Sequence, residues 1–314
     1  MIVVLTGGTG GAKLVQGLGH LVAAEQLTVI VNTGDDIDWW GLQVSPDIDS
    51  ILYALADQLS LVRGWGLDND SFRCLDRMKY FGQTDWFSLG DLDLATHLTR
   101  SNLLRSGKSL SAVTAELAAK LGVHVRVLPM SDDRVTTMLD TANGALNFQE
   151  YFVRERHQVD VRAVRFEGAE NAQPAPGVIE SIAKADAVIL APSNPVTSIG
   201  PILAVPGIRE VLRRTEAPVA AVSPIVGGNA VSGPAGALMK RKGWPSTIAG
   251  VAQAYEDFLD LLIVDLEDHA DADHLREGGL RVVCTNTIMK SMEDRQELAR
   301  FTLHAAHQAR GVKS

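Results

Sequence analysis

A run of glycines, GGTGGAK at residues 7–13, directly follows an apolar, β-branched segment at residues 2–6. Glycines let the backbone pass close to phosphate oxygens, and the start of a helix offers unpaired N–H groups and the positive end of the helix dipole. Lys13 stands where a dinucleotide fingerprint needs its third glycine, and the phosphate-loop NTPase pattern GxxxxGK(S/T) is absent from the sequence. The run therefore indicates a phosphate-binding site that is neither a dinucleotide fingerprint nor an NTPase phosphate loop. The alternative is a tight turn without a ligand.

Two later loops combine polar side chains with glycine or proline, and each follows a short apolar segment. Residues 191–200 (APSNPVTSIG) include Ser193 and Asn194 among more hydroxyl and amide groups than capping one helix would use. Residues 223–236 (SPIVGGNAVSGPAG) form a long, glycine-rich segment of a kind that is usually functional. Because ligands of open parallel sheets bind beyond the carboxyl ends of the strands, we expect these loops and the glycine run to converge on a polyphosphate.

Acidic residues gather in two further segments. NTGDD at residues 32–36 follows a second apolar segment, and SPDID at residues 45–49 has the form of a helix start, with Ser45 as N-cap and proline at the first helical position. Carboxylates beside a diphosphate usually hold Mg²⁺, because oxygen ligands suit that hard cation. Asp47 and Asp49 are thus candidate magnesium ligands, and complementarity to the helix dipole is the alternative.

Other arrangements of reactive side chains give weaker signals. The acidic turns at residues 89–93 and 131–134 have the composition of ordinary solvated turns. His97 and His124 lie near the segments described above, but a lone histidine is more often a packed or surface residue. No Ser/His/Asp or Cys/His arrangement stands out in the sequence, so covalent catalysis is not favoured.

The segments between these motifs predict the elements that position them. Short apolar segments separated by helical patterns predict parallel strands buried on both faces, at residues 2–6, 27–31, 187–191, 219–222, 261–264 and 280–284. The middle of the chain predicts helices at about 71–80, 92–104 and 111–121 and short strands at 123–128, 145–153 and 159–166. We therefore predict an α/β fold: a doubly wound, Rossmann-like parallel sheet with a largely helical insertion at about residues 45–170.

Composition and charge narrow the function classes. The 314 residues are 46% hydrophobic and 21% charged, as in ordinary globular proteins, and the net charge of −9 argues against nucleic-acid binding. No apolar segment approaches the roughly 20 residues that span a bilayer, and the start of the chain lacks a signal-peptide pattern. We expect a cytoplasmic protein without a membrane partner, in which Cys74 and Cys284 are reduced and packed.

Seven segments, in this order, resemble the 2-phospho-L-lactate transferase family of coenzyme F420 biosynthesis. They are GGTGGAKL, VNTGDD, SPDIDSILYALAD, SLGDLDLATHLTRSNLL, LPMSDD, APSNPVTSIGPIL and SPIVGGNAVSGPAGALM. The resemblance extends from Ile2 to the last predicted helix. It implies transfer of a phosphorylated three-carbon acid, 2-phospho-L-lactate or phosphoenolpyruvate, from its guanosine diphosphate derivative to the deazaflavin alcohol Fo, with release of GMP and formation of a phosphodiester.

The resemblance also implies roles for individual residues, with Mg²⁺ as the cofactor. Asp49 would contact Fo and act as metal ligand or as the base that accepts the hydroxyl proton. Ser88 matches the family's other Fo-binding position, where some relatives carry a basic residue. The implied nucleotide-binding residues are Gly8, Thr9, Gly10, Lys13, Ser193, Asn194, Ser223, Gly227 and Asn229.

The implied organisation is a single transferase domain over residues 1–314. Its nucleotide-binding core covers about 1–44 and 171–314, and the insertion at about 45–170 binds the acceptor. The implied partners are Fo and the guanylated donor, and we expect a homodimer, the commonest assembly of soluble enzymes.

Two other functions stay open at this point. A nucleotide-sugar-binding regulatory protein with a similar sheet and no transfer activity would lack SPDID and SLGDLDLATH in this form. A dinucleotide-dependent reductase is disfavoured by Lys13 and by Asn32, because an acidic residue is expected at the end of the second strand.

Overall fold

The structure, a computed structural model, describes residues 1–60 and 62–309. The strands in these residues are β1 (Ile2–Thr6), β2 (Leu27–Val31), β3 (Ile37–Trp39), β4 (Leu42–Val44), β5 (Arg126–Pro129), β6 (Thr136–Thr141), β7 (Gly144–Asn147), β8 (Val161–Glu167), β9 (Ala187–Leu190), β10 (Val219–Val222), β11 (Ile225–Val226), β12 (Asn229–Ala230), β13 (Leu261–Asp265) and β14 (Arg281–Thr285). The α-helices are α1 (Gly8–Gly19), α2 (Pro46–Leu55), α3 (Arg73–Tyr80), α4 (Asp91–Arg105), α5 (Leu110–Lys120), α6 (Val178–Ala183), α7 (Ile199–Ala204), α8 (Ile208–Arg214), α9 (Ala235–Arg241), α10 (Ile248–Ala254), α11 (His269–Glu277) and α12 (Met292–Ala309). Among residues 1–60 and 62–309, no helix is long and apolar enough to cross a membrane.

Seven strands form one parallel sheet in the order β14-β13-β10-β9-β1-β2-β5. From β1 the chain moves outward through β2 to β5, and it then returns to the other side of β1 to build β9, β10, β13 and β14. The change of direction between β1 and β9 is a topological switch point, where open sheets of this kind bind their ligands. The predicted doubly wound, Rossmann-like α/β fold is confirmed.

Each face of the sheet packs against helices, because successive side chains of a strand point to opposite faces. Val3 and Leu5 of β1 join an apolar core with residues of α7, α8, α9 and α10. Val4 joins a second core with residues of α1, α2, α5 and α12. Burial on both faces explains why the strands read as continuous apolar runs.

The middle of the chain departs from the prediction at β5 and β7, and no strand was predicted at β6. Strand β5, although it lies within residues 45–170, pairs with β2 at the edge of the main sheet. The strand predicted at 145–153 is partly wrong, since β7 ends at Asn147 and a wide helical turn occupies Glu150–Arg154. Asn147 and Glu150 exchange hydrogen bonds between their side chains and backbone N–H groups at 2.9 and 3.0 Å, which ends the strand and starts the turn.

Candidate functional site

Beyond the carboxyl ends of the strands, at the switch point, lies a cavity of about 640 Å³. Small-molecule sites typically have volumes of roughly 300–1,000 Å³. The wall is built by the three loops singled out from the sequence, the first turn of α2, one face of α4 and the loop after β14. The predicted site residues that line it are Gly8, Thr9, Gly10, Lys13, Asp47, Asp49, Ser88, Ser193, Asn194 and Ser223.

The glycine loop leads directly from β1 into α1. Gly8 has φ +69°, in the left-handed region that favours glycine. Gly10 lies against the loop after β9, since a Cβ atom built on it would lie 2.5 Å from the Pro192 carbonyl oxygen. The Ser193 hydroxyl joins the same two loops by donating to the Gly7 carbonyl oxygen at 2.7 Å. The start of α1 is therefore held in one position at the cavity wall.

Asp47 lies against the start of α1. Its carboxylate accepts hydrogen bonds from the Gly8 N–H at 2.7 Å and from the Asn32 side-chain amide at 2.9 Å. Burial raises the pKa of Asp47 to about 6, although both hydrogen bonds favour the charged form. The N–H groups of Thr9 and Gly10, also in the first turn, have no partner within the helix, and both residues line the cavity.

Asp49 has a different neighbour, because residues two apart on a helix point to nearly opposite sides. Both oxygens of this buried carboxylate are held by the guanidinium of Arg100 on α4: Nη1 donates to Oδ2 at 3.1 Å, and Nη2 donates to Oδ1. Two parallel bonds of this kind are among the strongest arginine–carboxylate contacts. Asp47 therefore accepts a hydrogen bond from the glycine loop, and Asp49 forms an ion pair with α4.

Helix α4 presents a buried polar stripe on this side. Asp93, His97 and Arg100 are spaced by four and three positions, so they share one face of the helix. The His97 Nδ1 lies 3.2 Å from the Arg100 Nη1, and the His97 Nε2 lies 3.3 Å from an Asp93 oxygen, to which the Tyr53 hydroxyl donates at 2.7 Å. Burial opposes the charge of Asp93, but interactions with His97, Tyr53 and Arg100 together lower its pKa.

Two more carboxyl groups, those of the buried Asp35 and the half-buried Asp36, come from the segment after β2. Burial raises the pKa of Asp35 well above its ordinary value, and the charge of Asp47 raises it further. Burial raises the pKa of Asp36 to about 8. Ser45 occupies the predicted N-cap position, but its hydroxyl donates to Asp36 at 2.7 Å rather than capping α2. Asp35 lines the cavity, and its Oδ1 has no hydrogen-bond partner.

The predicted polar residues of the later loops use part of their hydrogen-bonding capacity within those loops. The Asn194 Oδ1 accepts from the Val196 N–H at 2.9 Å, and the Ser223 hydroxyl donates to the Ile225 carbonyl oxygen at 3.0 Å. These bonds fix the loop shapes, and both residues line the cavity.

Gly227 and Asn229 do not belong to the cavity wall. They lie in the β11–β12 hairpin, whose two turn residues are Gly227 (φ +55°) and Gly228 (φ +74°). Two-residue hairpin turns of this type need positive φ at both positions, so the glycines serve the turn. The Asn229 side chain is exposed and donates to the Gly227 carbonyl oxygen at 3.1 Å. The structure does not bring these two residues to the other predicted nucleotide contacts.

Lys13 and Ser88 both line the cavity. Lys13 is half-buried, and burial together with the charge of Arg295 lowers its pKa. A lysine that is partly desolvated beside the start of α1 is well placed to contact an anion.

Besides Tyr53, four aromatic side chains line the cavity in addition to the predicted residues, and these four are here called the aromatic wall. The members are Trp65, Phe87, Phe148 and Phe152. The rings of Phe148 and Phe152 stack with centroids 5.4 Å apart and an interplanar angle of 8°. Phe148 and Phe152 are four positions apart in one segment, whereas Trp65 and Phe87 come from other segments, so no single local pattern points to all four.

Other lining residues had a usable signal in the sequence. Thr287 and Lys290 belong to the loop after β14, and the rule that ligands bind beyond the carboxyl ends of parallel strands applies to that loop as well. The spacing of Asp93, His97 and Arg100 places them on one helical face. His97, expected to be a packed or surface residue, is buried and belongs to this charged cluster.

Comparison with known proteins identifies one family of transferases. A family model described as 2-phospho-L-lactate transferase CofD matches residues 2–296. A Methanosarcina mazei protein named 2-phospho-L-lactate transferase is 42% identical over 304 residues, covering 97% of this chain and 100% of that protein. A Streptomyces griseus protein named phosphoenolpyruvate transferase is 42% identical over 315 residues, covering 98% of this chain and 99% of that protein. A solved structure of a UPF0052-family protein from Bacillus halodurans has a similar fold, with a TM-score of 0.65 and 17% identity over 96% of this chain and 98% of that one.

Proposed function

This chain belongs to the 2-phospho-L-lactate transferase CofD family, and on that basis we propose that it transfers a phosphorylated three-carbon acid from its guanosine diphosphate derivative to the deazaflavin alcohol Fo, in coenzyme F420 biosynthesis. The hydroxyl oxygen of Fo bonds to the phosphorus that carries the acid, and the bond from that phosphorus to GMP breaks. The product is a phosphodiester. The observation that carries the proposal is that the glycine loop and the buried Asp49 meet in one cavity.

The donor's diphosphate fits the end of the cavity formed by the start of α1. The N–H groups of Thr9 and Gly10 lack partners within the helix, and the helix dipole favours negative charge at this point. Lys13 lines the same cavity and adds a positive charge. Together these groups would hold phosphate oxygens that the acidic residues alone would repel.

The carboxyl groups nearby fit Mg²⁺. Burial raises the pKa values of Asp35 and Asp47, and the Asp35 Oδ1 has no partner, so a hard cation would supply positive charge that this end of the cavity lacks. Asp47 is the proposed ligand, and Asp49 acts either as a second ligand, through lone pairs that the Arg100 bonds leave free, or as the base. Bound Mg²⁺ would neutralise the diphosphate and stabilise the departing phosphate of GMP.

Asp49 is the proposed base. Its carboxylate accepts a hydrogen bond from the Fo hydroxyl and takes the proton as the new oxygen–phosphorus bond forms. Proton transfer of this kind contributes about 10²- to 10⁴-fold in rate. The rest of the acceleration comes from holding the hydroxyl in line with the departing GMP oxygen, because displacement at phosphorus needs little covalent chemistry from the protein.

The aromatic wall suits the flat ring system of a deazaflavin. Aromatic side chains bind planar ligands by offset stacking and by burying apolar area. Ser88 follows Phe87 of this wall and offers a hydroxyl to the polar edge of such a ring. The acid that is donated stays a choice between 2-phospho-L-lactate and phosphoenolpyruvate, because relatives with either name are 42% identical to this chain.

The proposal is tested by replacing Asp49. Asp49→Asn is expected to lower turnover by about 10²- to 10⁴-fold and to leave GDP binding, measured by calorimetry in EDTA, unchanged. The matched control is Asp57→Asn, because Asp57 accepts from the Gln16 side chain at 2.8 Å away from the cavity. Full turnover of Asp49→Asn would remove Asp49 from the mechanism. Tight binding of GDP by the native protein with no transfer product would instead favour a nucleotide-binding regulatory protein.

A further inference from the structure

Helix α4 buries two charged residues and exposes two of its five leucines. Leu92 and Leu98 are 55% and 52% exposed, whereas Arg100 is 0% exposed and Asp93 is 6% exposed. Burying charged groups is costly unless each is paired, and apolar residues of similar volume usually stabilise a fold as well or better. Stability alone therefore does not explain why two charged residues of α4 are buried while two of its leucines are exposed to water.

Arg100 lies behind Asp49 as seen from the cavity. Asp49 lines the cavity, and Arg100 does not. The guanidinium fork holds both Asp49 oxygens, and Nη1 also lies 3.2 Å from the His97 Nδ1. A planar guanidinium bound at two points fixes the plane of a carboxylate as well as its position. The direction in which the free lone pairs of Asp49 point is thus set by Arg100.

The cluster around Arg100 has the composition of a metal site. Ligand atoms of Asp49, Asp93 and His97 lie within 4.8 Å of one another, and all three residues are buried. In the structure it is the guanidinium of Arg100 that contacts Asp49 and His97, with the charge of Asp36 also acting on it. Arg100 therefore supplies the positive charge that this cluster would otherwise take from an ion.

We propose that Arg100 is a positioning residue for the transfer reaction: it holds the Asp49 carboxylate in the orientation that accepts the acceptor hydroxyl. This inference rests on the proposed function of Asp49. It places Arg100 outside the substrate contacts, so its loss should act on the chemical step and not on the binding of the nucleotide.

The first test compares variants of Arg100 in the full chain. Arg100→Gln is expected to lower kcat about 100-fold, the effect of a misplaced reacting group, with the KM for the guanylated donor unchanged. Arg100→Lys keeps the charge but not the planar fork, so its activity should lie between those of Arg100→Gln and the native protein. Arg105→Gln is the control, because Arg105 lies on the same helix, is exposed and donates to the Gly41 carbonyl oxygen.

A double-mutant cycle separates positioning from mere stability. If Arg100 acts through Asp49, Arg100→Gln should cost little further activity in an Asp49→Asn background, where the group that it positions is already disabled. A full, independent loss in that background, or native kcat in Arg100→Gln, would overturn the inference. Thermal unfolding of each variant identifies any that do not fold.

A crystal structure of Arg100→Gln gives a result that does not depend on turnover. The inference requires the Asp49 carboxylate to rotate or shift from its native orientation in that variant. An unmoved Asp49 would overturn it, whatever the activity. If instead the native protein forms no product while Asp49 moves as expected, the proposed reaction fails and the positioning of Asp49 by Arg100 stands.

Discussion

Asp47 and Asp49 are two positions apart at the start of α2, and their carboxylates accept hydrogen bonds from different residues. Asp47 accepts hydrogen bonds from the glycine loop and from β2's neighbour Asn32, whereas Asp49 is held by Arg100. Substitutions at the two positions should therefore affect different parts of the proposed reaction. The sequence predicted both as site residues, and both line the cavity. It did not predict their hydrogen-bond partners, because these depend on which elements lie beside each face of α2 in the folded chain.

Asp47→Asn should remove the effect of Mg²⁺ on nucleotide binding. In the native protein we expect Mg²⁺ to tighten GDP binding by about 10-fold, because it neutralises part of the charge between diphosphate and carboxylates. Asparagine keeps the shape of the side chain but loses its charge. Calorimetry with Mg²⁺ and with EDTA measures the difference. An undiminished response to Mg²⁺ in Asp47→Asn would exclude Asp47 as a ligand.

Gly8→Ala should weaken GDP binding through the backbone of the glycine loop. Alanine at φ +69° costs about 1 kcal/mol of stability and shifts the first N–H groups of α1. Gly41→Ala is the matched control: its φ is +77°, so it carries the same strain away from the cavity. Urea unfolding should show a similar loss for both variants, and only Gly8→Ala should bind GDP more weakly. Equal GDP affinities for the two would contradict a phosphate site at this loop.

The elements that hold the site differ in how well the sequence predicts them. The helices predicted at 92–104 and 111–121 match α4 and α5 to within one residue at each end, because helical periodicity and caps are local signals. The burial of α4 could not be predicted in the same way. Its polar stripe has the appearance of a solvated face, and only the hydrogen bonds of Arg100 to Asp49 and of Tyr53 to Asp93 in the folded chain show that this face is turned inward.

The helix α1 is also held from behind, by α12. A Cβ atom at Gly17 would lie 2.3 Å from the Arg295 carbonyl oxygen, so Gly17→Ala should cost about 1–3 kcal/mol by overpacking. A Cβ atom at Gly19 would meet only a methyl group of Leu55, at 2.8 Å, which can move. Gly19→Ala should therefore be much less destabilising. Chemical denaturation of both variants tests this, and equal stabilities would mean that α1 and α12 are not in close contact.

An ion-pair cluster on α8 should make stability depend on pH. Burial opposes the charge of Asp257, but hydrogen bonds from Arg209 and Arg213 outweigh it and lower the pKa of Asp257. A lowered folded-state pKa adds stability above the unfolded value, about 3.9, and that stability is lost as pH falls further.

Asp257→Asn should therefore lower stability by about 1 kcal/mol at pH 7, a value kept small because the pair is partly exposed to water. The difference from the native protein should shrink below about pH 4. Asp160→Asn is the control, because Asp160 pairs with Arg241 but is 71% exposed. Melting temperatures measured across pH check the trend, and a difference that grows as pH falls would contradict it.

At the scale of the whole molecule, the cavity is made by segments from both halves of the chain. Loops after β1 and β2 meet loops after β9, β10 and β14 because parallel strands end at the same edge of the sheet. That rule allowed many of the cavity-lining residues to be predicted from sequence. It does not apply to Gly227 and Asn229, which lie in a local hairpin outside the cavity wall, and it did not indicate the aromatic wall, whose members come from separate segments apart from Phe148 and Phe152.

The most direct test of the proposed transfer is the product itself. The native protein is incubated with Fo, Mg²⁺ and, separately, the guanylated derivatives of 2-phospho-L-lactate, phosphoenolpyruvate and phosphoglycerate, and the mixtures are analysed by mass spectrometry. We expect one donor to yield a phosphodiester of Fo and the acid together with an equal amount of GMP. Release of GDP in place of GMP, or no product from any donor despite tight nucleotide binding, would contradict it.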